Sequence, residues 1–125
     1  MISGLVNADL EATIRLKIQG TDGHEQEIEA VIDTGFNGFL TLPPSFIIAL
    51  GLPWLTQGRA MLGDGRMELF DVYTATVIWD GQPLRIMVDA ADTAPLVGMS
   101  LMHGYELNLQ NIDGGLVSLK RLIIP

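Results

Sequence analysis

A two-residue alternation, repeated on both sides of glycine-bearing turns, limits this chain to few folds. In Ala12-Thr13-Ile14-Arg15-Leu16-Lys17-Ile18 the even positions are apolar and the odd ones are mostly polar, the pattern of a strand with one face on a core and one in water. A second run, Glu25 to Ile32, follows Gly20-Thr21-Asp22-Gly23. Asp-Gly between such runs marks a hairpin, because the turn needs residues that tolerate positive φ. Asp80-Gly81 joins Val72–Trp79 to Leu84–Val88 in the same way, and Asp113-Gly114-Gly115 joins Glu106–Ile112 to Leu116–Leu122. Three such hairpins in 125 residues predict a mainly antiparallel β protein.

Helix signals are sparse. Leu42-Pro43-Pro44-Ser45 leads into Phe46-Ile47-Ile48-Ala49-Leu50, closed by Gly51 and Pro53; proline at the entrance and glycine past the exit are where a helix tolerates each. A weaker helical turn is expected over Ser100 to His103, before Gly104. Ala60 to Leu69 reads as a further hairpin, with Gly63-Asp64-Gly65 at its tip and few large side chains there. Tips of that kind move and often close over ligands. With no linker or low-complexity tract in view, residues 1–125 are expected to make one domain.

Composition removes several function classes. The chain is 48% hydrophobic and 18% charged, a globular profile. Seven basic residues against fifteen acidic ones leave a net charge of −8, which rules against nucleic-acid binding and against docking on anionic lipid. Without cysteine there is no disulfide, thiolate metal site or cysteine nucleophile. The start lacks the pattern of a signal peptide, and the longest nearly apolar stretch, Phe46 to Leu55, is too short for a membrane span. A cytoplasmic protein is expected.

Ala30-Val31-Ile32-Asp33-Thr34-Gly35 is where chemistry is expected: three apolar residues run straight into a carboxylate, a hydroxyl and a glycine. A carboxylate at the end of a buried strand is costly unless it is hydrogen-bonded or used. Asp-Thr-Gly arises by chance in such a chain on the order of 2–4% of the time, so alone it marks no more than a turn. Its setting adds weight, because the strand Phe39–Leu42, the capped helix and the glycine-tipped hairpin follow in order. Later, Leu96-Val97-Gly98 repeats the apolar pair and glycine without the acid.

Asp33-Thr34-Gly35, the hairpin at Gly63-Asp64-Gly65 and Leu96-Val97-Gly98 together resemble the retropepsin-type aspartic proteases, closest to their small single-domain prokaryotic relatives. The order covers nearly the whole chain. The resemblance implies a closed, barrel-like β fold with one or two short helices and a β-hairpin flap. It also implies an aspartic endopeptidase that takes a peptide or protein substrate, with no cofactor and no metal. Peptide hydrolysis of this type uses two carboxyl groups about 3 Å apart sharing one proton. This sequence holds one Asp-Thr/Ser-Gly: Asp92-Thr93 is followed by Ala94, and Asp113-Gly114 sits in a hairpin. Such an enzyme must therefore be a homodimer, with Asp33 of each subunit meeting on the two-fold axis. The alternative is a non-catalytic module of the same fold that dimerises or binds peptides.

By resemblance, Thr34 bridges the two acid loops and Gly35 allows close backbone approach. Gly98 backs the acid loop, Leu96 and Val97 line the cleft, and Gly63, Asp64 and Gly65 cover a bound peptide. The apolar ends, Met1-Ile2 with Leu5-Val6 and Leu122-Ile123-Ile124, are expected to interleave with a second subunit; otherwise both pack on their own. Phe36 departs from the small residue usual after the triplet, and its ring must either turn inward or narrow the cleft. Asn37 stands where an acid is common and is placed to bond a substrate backbone, and Asp64 reads as a solvated turn residue. Rival chemistries are weak: Ser100 lacks the second glycine of a nucleophile elbow, and His24 and His103 lack metal-ligand spacing. Trp54, Trp79 and the six methionines are expected in the core.

Overall fold

The computed structural model describes residues 1–123. Its strands are β1 (Ile2–Val6), β2 (Ala12–Gln19), β3 (Glu25–Ile32), β4 (Leu40–Leu42), β5 (Trp54–Met61), β6 (Met67–Trp79), β7 (Gln82–Ala90), β8 (Leu96–Val97), β9 (Tyr105–Leu109) and β10 (Leu116–Arg121). One helix, α1 (Pro44–Leu50), interrupts them. The strands form one sheet in the order β5-β6-β7-β4-β8-β3-β2-β1-β10-β9. A further pairing of β2 with β6, Lys17 opposite Ile78, joins distant members of that order. Six strands, β6-β7-β4-β8-β3-β2, thus close into a ring, which removes their edges.

The ring is filled by one parity of each strand. Ile14, Leu16 and Ile18 of β2 are at most 2% exposed, and Ala30, Leu40, Leu42, Val77, Val88 and Val97 are fully buried. Each such leucine, isoleucine or valine contributes about 1.5–3 kcal/mol by leaving water. Two polar residues, Thr13 and Thr41, are also buried, and each hydroxyl is bonded. Thr13 donates to the Leu5 carbonyl at 2.8 Å, and Thr41 accepts from the Leu96 N–H at 3.0 Å.

The turns follow their residues. Asp80 and Gly81, both at positive φ (50° and 81°), make the tight turn from β6 to β7. α1 begins on Pro44 and ends at Gly51, whose left-handed φ of 62° lets its N–H and that of Leu52 reach the last carbonyls.

Three expectations are corrected. Ser100 to His103 forms hydrogen-bonded turns, not a helix, because Gly104 at φ 84° redirects the chain after a single Met102-to-Gly98 bond. The strand expected over Glu106–Ile112 ends at Leu109, because Gln110 bonds Leu116 and Ile112 bonds back to Gln110. Trp54 is 59% exposed, and of the methionines only Met102 joins Trp79 in the core. Trp54 stands on a hairpin that leaves the ring, where no second layer among the described residues covers it. The terminal strands pair within the chain: β1 lies between β2 and β10, with Ile2 opposite Leu119 and Leu5 opposite Leu116. Leu122 and Ile123 are exposed, and Ile124 lies outside the described residues.

Candidate active site

β8 builds the site. It lies between β3 and β4, parallel to the first (Ile32 opposite Val97) and antiparallel to the second (Leu40 opposite Val97). Its last carbonyl, on Val97, accepts the Asp33 N–H at 2.9 Å, so the acid is held where β3 ends. The chain then turns sharply. Phe36 N–H returns to the Asp33 carbonyl at 3.2 Å, and Gly35 N–H donates to Asp33 Oδ1 at 2.9 Å. That second bond fixes the rotation of the carboxyl group. Among the described residues nothing donates to Oδ2 or bonds the hydroxyl of Thr34, which is exposed together with Gly35.

The segment after the acid loop is clamped by the one after β8. Gly98 N–H bonds the Phe39 carbonyl at 3.0 Å, Met99 N–H bonds Phe36 at 2.8 Å, and Ser100 N–H bonds Gly38 at 3.1 Å. The Ser100 hydroxyl donates to the Asn37 carbonyl. The packing is tight enough to exclude a methyl group. A Cβ on Gly98 would lie 2.2 Å from the Gly38 oxygen and 2.6 Å from Phe36 Cδ2, and one on Gly38 would lie 2.5 Å from Phe36 Cζ. The Phe36 ring thus lies back over Gly38 and Gly98; it is half-buried and does not join the core.

Beside this loop runs a groove of about 510 Å³ walled by Thr41, Glu68, Phe70, Asp89 and Asp92 among others, with Phe36 not among them. Asp89 is set there by pairing alone: it stands opposite Thr41 on one side and Val72 on the other. A Cβ on Gly38 would meet its Oδ2 at 3.4 Å, so the acid loop and this carboxyl are neighbours. Partial burial, with no partner to offset it, pushes the Asp89 carboxyl above the ordinary aspartate value. Sequence reasoning passed over Asp89 and Phe70. The signal was present in part: Asp89 has the outward parity of β7, where Ile86 and Val88 point inward.

The hairpin β5–β6 rises from the edge of the ring. Every residue of β5 except Gly58 is exposed, and the ring of Phe70 lies across that glycine. At its tip Leu62 N–H bonds Arg66 at 2.7 Å, and Asp64 accepts the Arg66 backbone N–H at 3.0 Å and its Nε at 2.6 Å. Asp64 is the solvated turn residue expected of it.

The structure brings Asp33, Thr34, Gly35, Phe36 and Asn37 together with Leu96, Val97 and Gly98. It does not bring Gly63, Asp64 or Gly65 to them: no hydrogen bond among the described residues joins tip and acid loop. Val97 is corrected. It is fully buried and faces the core with Ile32 and Leu40, so it cannot line a cleft, whereas half-buried Leu96 has the outward parity of Val31 and Asp33. His24 and His103 are exposed. Among the described residues no three His, Asp or Glu side chains converge to hold a metal.

No family model and no curated protein matches this sequence. Its structure is similar to the crystal structure of a retropepsin-like aspartic protease from Rickettsia conorii, at 22% identity and a TM-score of 0.59, over 94% of this chain and 87% of that one. It is also similar to the solution structure of the simian foamy virus (mac) protease, at 21% identity and a TM-score of 0.52, over 70% of this chain and 88% of that one. The chain has the fold of the retropepsin-like aspartic proteases.

Proposed function

We propose that this chain is one half of a homodimeric aspartic endopeptidase, with Asp33 contributed by each subunit to a shared catalytic pair. The observation that carries this reading is the setting of Asp33. Its carboxyl group follows directly on β3, a strand with one face in the core, one oxygen is fixed by the Gly35 N–H, and the other has no donor among the described residues. A lone acid held so precisely supplies half of what peptide hydrolysis needs. Two such carboxyls facing each other cannot both ionise cheaply, so the pair keeps one proton. The ionised member takes a proton from the attacking water, and the protonated member polarises the scissile carbonyl and then protonates the leaving nitrogen.

The remaining residues take roles by position. The exposed Thr34 hydroxyl is free to reach its symmetry mate. Leu96 and the groove beside Asp89 accept substrate side chains, and the β5–β6 hairpin lies over an extended peptide and bonds its backbone. Gly98 and Gly38 take up the Phe36 ring, and that ring does not wall the groove at Asp89.

Asp33→Asn keeps the Gly35 N–H bond and changes the chemistry alone. In a digest of a random peptide pool, wild type is expected to cleave with an optimum on the acid side of neutral. Asp33→Asn is expected to lose activity by about 10⁴-fold or more while keeping its fold and oligomeric state. Equal cleavage by both proteins, or a rate still climbing above about pH 8, defeats the mechanism.

A further inference from the structure

Ser100 carries a half-buried hydroxyl that no step of the proposed reaction uses. Among the described residues its one bond is to the backbone: it donates to the Asn37 carbonyl. No histidine or carboxylate there accepts its proton, so it is not set up as a nucleophile. What it holds is the stretch that continues the acid loop.

Three successive peptide planes lean on the segment after β8. The Phe36 carbonyl accepts the Met99 N–H at 2.8 Å, the Asn37 carbonyl accepts the Ser100 hydroxyl, and the Gly38 carbonyl accepts the Ser100 N–H at 3.1 Å. The outer two planes are fixed by backbone donors, which no substitution short of proline removes. The middle plane, Asn37–Gly38, is fixed by a side chain. One plane can turn over while both neighbours stay in place, through ψ of the residue before it and φ of the residue after it. Type I and type II turns are related in this way, and the second form asks for glycine at the later residue. Gly38 is that glycine, and it does not stand at positive φ now. Without the hydroxyl, the middle plane is free to turn.

The orientation of that plane decides what its other side offers. A trans peptide points its N–H opposite its carbonyl, and no bond among the described residues is cis. With the Asn37 carbonyl on Ser100, the Gly38 N–H points away from that segment, and it finds no acceptor among the described residues. An unpaired N–H at a half-buried residue is costly unless water or a ligand takes it. Gly38 also borders the groove, since a Cβ there would lie 3.4 Å from Asp89 Oδ2. A turned plane would put an oxygen where a donor now stands.

We propose that Ser100 is a positioning residue: its hydroxyl locks the Asn37–Gly38 peptide so that the Gly38 N–H is presented to a backbone carbonyl of the bound peptide. The use of that N–H rests on the endopeptidase reading; the lock does not. The donor acts on substrate binding and not on Asp33, whose own N–H and Oδ1 are held by Val97 and Gly35. Losing the lock therefore weakens binding and leaves the acid chemistry as it was.

Peptide cleavage and amide-nitrogen relaxation dispersion at Gly38, on wild type, Ser100→Ala and Ser100→Thr, test this. Ser100→Ala is expected to raise KM by about 3- to 10-fold, the weight of one ordinary hydrogen bond, with kcat and the pH profile unchanged. Ser100→Thr keeps the hydroxyl and should return KM to near the wild-type value. Gly38 should show millisecond exchange in Ser100→Ala and none in the other two proteins. Ser100→Cys, close in size but a weak donor, carries the test if Ser100→Ala does not fold. Absence of exchange at Gly38 in Ser100→Ala overturns the lock. Exchange there with KM unchanged overturns the use of the N–H by substrate. A lowered kcat or a displaced pH profile puts the effect on Asp33 and overturns the assignment to binding. A wild type that cleaves no peptide, with Gly38 still exchanging in Ser100→Ala, overturns the endopeptidase reading and leaves the lock standing.

Discussion

Around Gly98 a methyl group has no room: a Cβ there would sit 2.2 Å from one backbone oxygen and 2.6 Å from a phenyl carbon. Around Gly63, at the tip of the β5–β6 hairpin, a Cβ would meet nothing within 4 Å. The same residue type thus serves opposite ends. In the floor of the site glycine allows two backbone segments to touch, and the bonds from Gly98, Met99 and Ser100 to Phe39, Phe36 and Gly38 follow from that closeness. At the tip glycine marks a segment held by its own turn and by little else. A rigid floor and a loose cover are what a cleft needs when its acid must be held in place and its substrate must enter.

The largest expected effect lies in the floor. Gly98→Ala forces the Gly38 carbonyl or the Phe36 ring to move, and overpacking of this kind costs about 1–3 kcal/mol. The displaced segment is continuous with Asp33, so cleavage should fall further than stability suggests, on the order of 10²-fold for a shift near 1 Å. Urea denaturation and cleavage rates measured on one preparation separate the two effects. A variant as stable and active as wild type would show that the floor yields.

What was legible in the sequence was local. Asp80-Gly81 and the Pro44-to-Gly51 helix announced themselves because their backbone angles are set by their own residues. The acid loop was legible because a carboxylate at the end of an apolar run has few harmless explanations. Val97 was misread because β8 is two residues long and offers no alternation from which to read its parity. Asp89 was missed for a related reason: only the parallel pairing of β4 with β7, between segments 48 positions apart (Thr41 to Asp89), brings it beside the acid loop. Trp54 was assigned to the core because hydropathy does not reveal that a hairpin will leave the ring uncovered.

Asp89 gives a smaller effect with a distinctive pH dependence. Its carboxyl is raised by burial above the ordinary aspartate value of 3.8, so between that value and its folded pKa the native chain binds more protons than the unfolded one. Stability must then fall as pH rises through that window and stay lowered above it. Asp89→Asn removes the charge and the penalty with it. Its melting temperature should exceed that of wild type at pH 7, and the gap should close as pH drops below 3.8. A gap that widens toward acid would mean that the carboxylate has a partner in solution and belongs to the rigid floor in a different way.

The smallest effect should come from the tip. Gly63→Ala adds a methyl group to open space, and no left-handed φ at that position penalises a side chain. Its cost should stay within about 0.5 kcal/mol, the ordinary range for an exposed substitution. Gly65→Ala, two residues on, is the internal control. It too has empty surroundings, but its φ of +84° should cost about 1–2 kcal/mol. The tip should therefore be sensitive to backbone angle and indifferent to added volume, the reverse of the floor. If thermal melts show Gly63→Ala destabilised as strongly as Gly98→Ala, something packs on the tip in solution. A second subunit or the acid loop itself is then the first place to look, and the hairpin is a closed lid rather than a free arm.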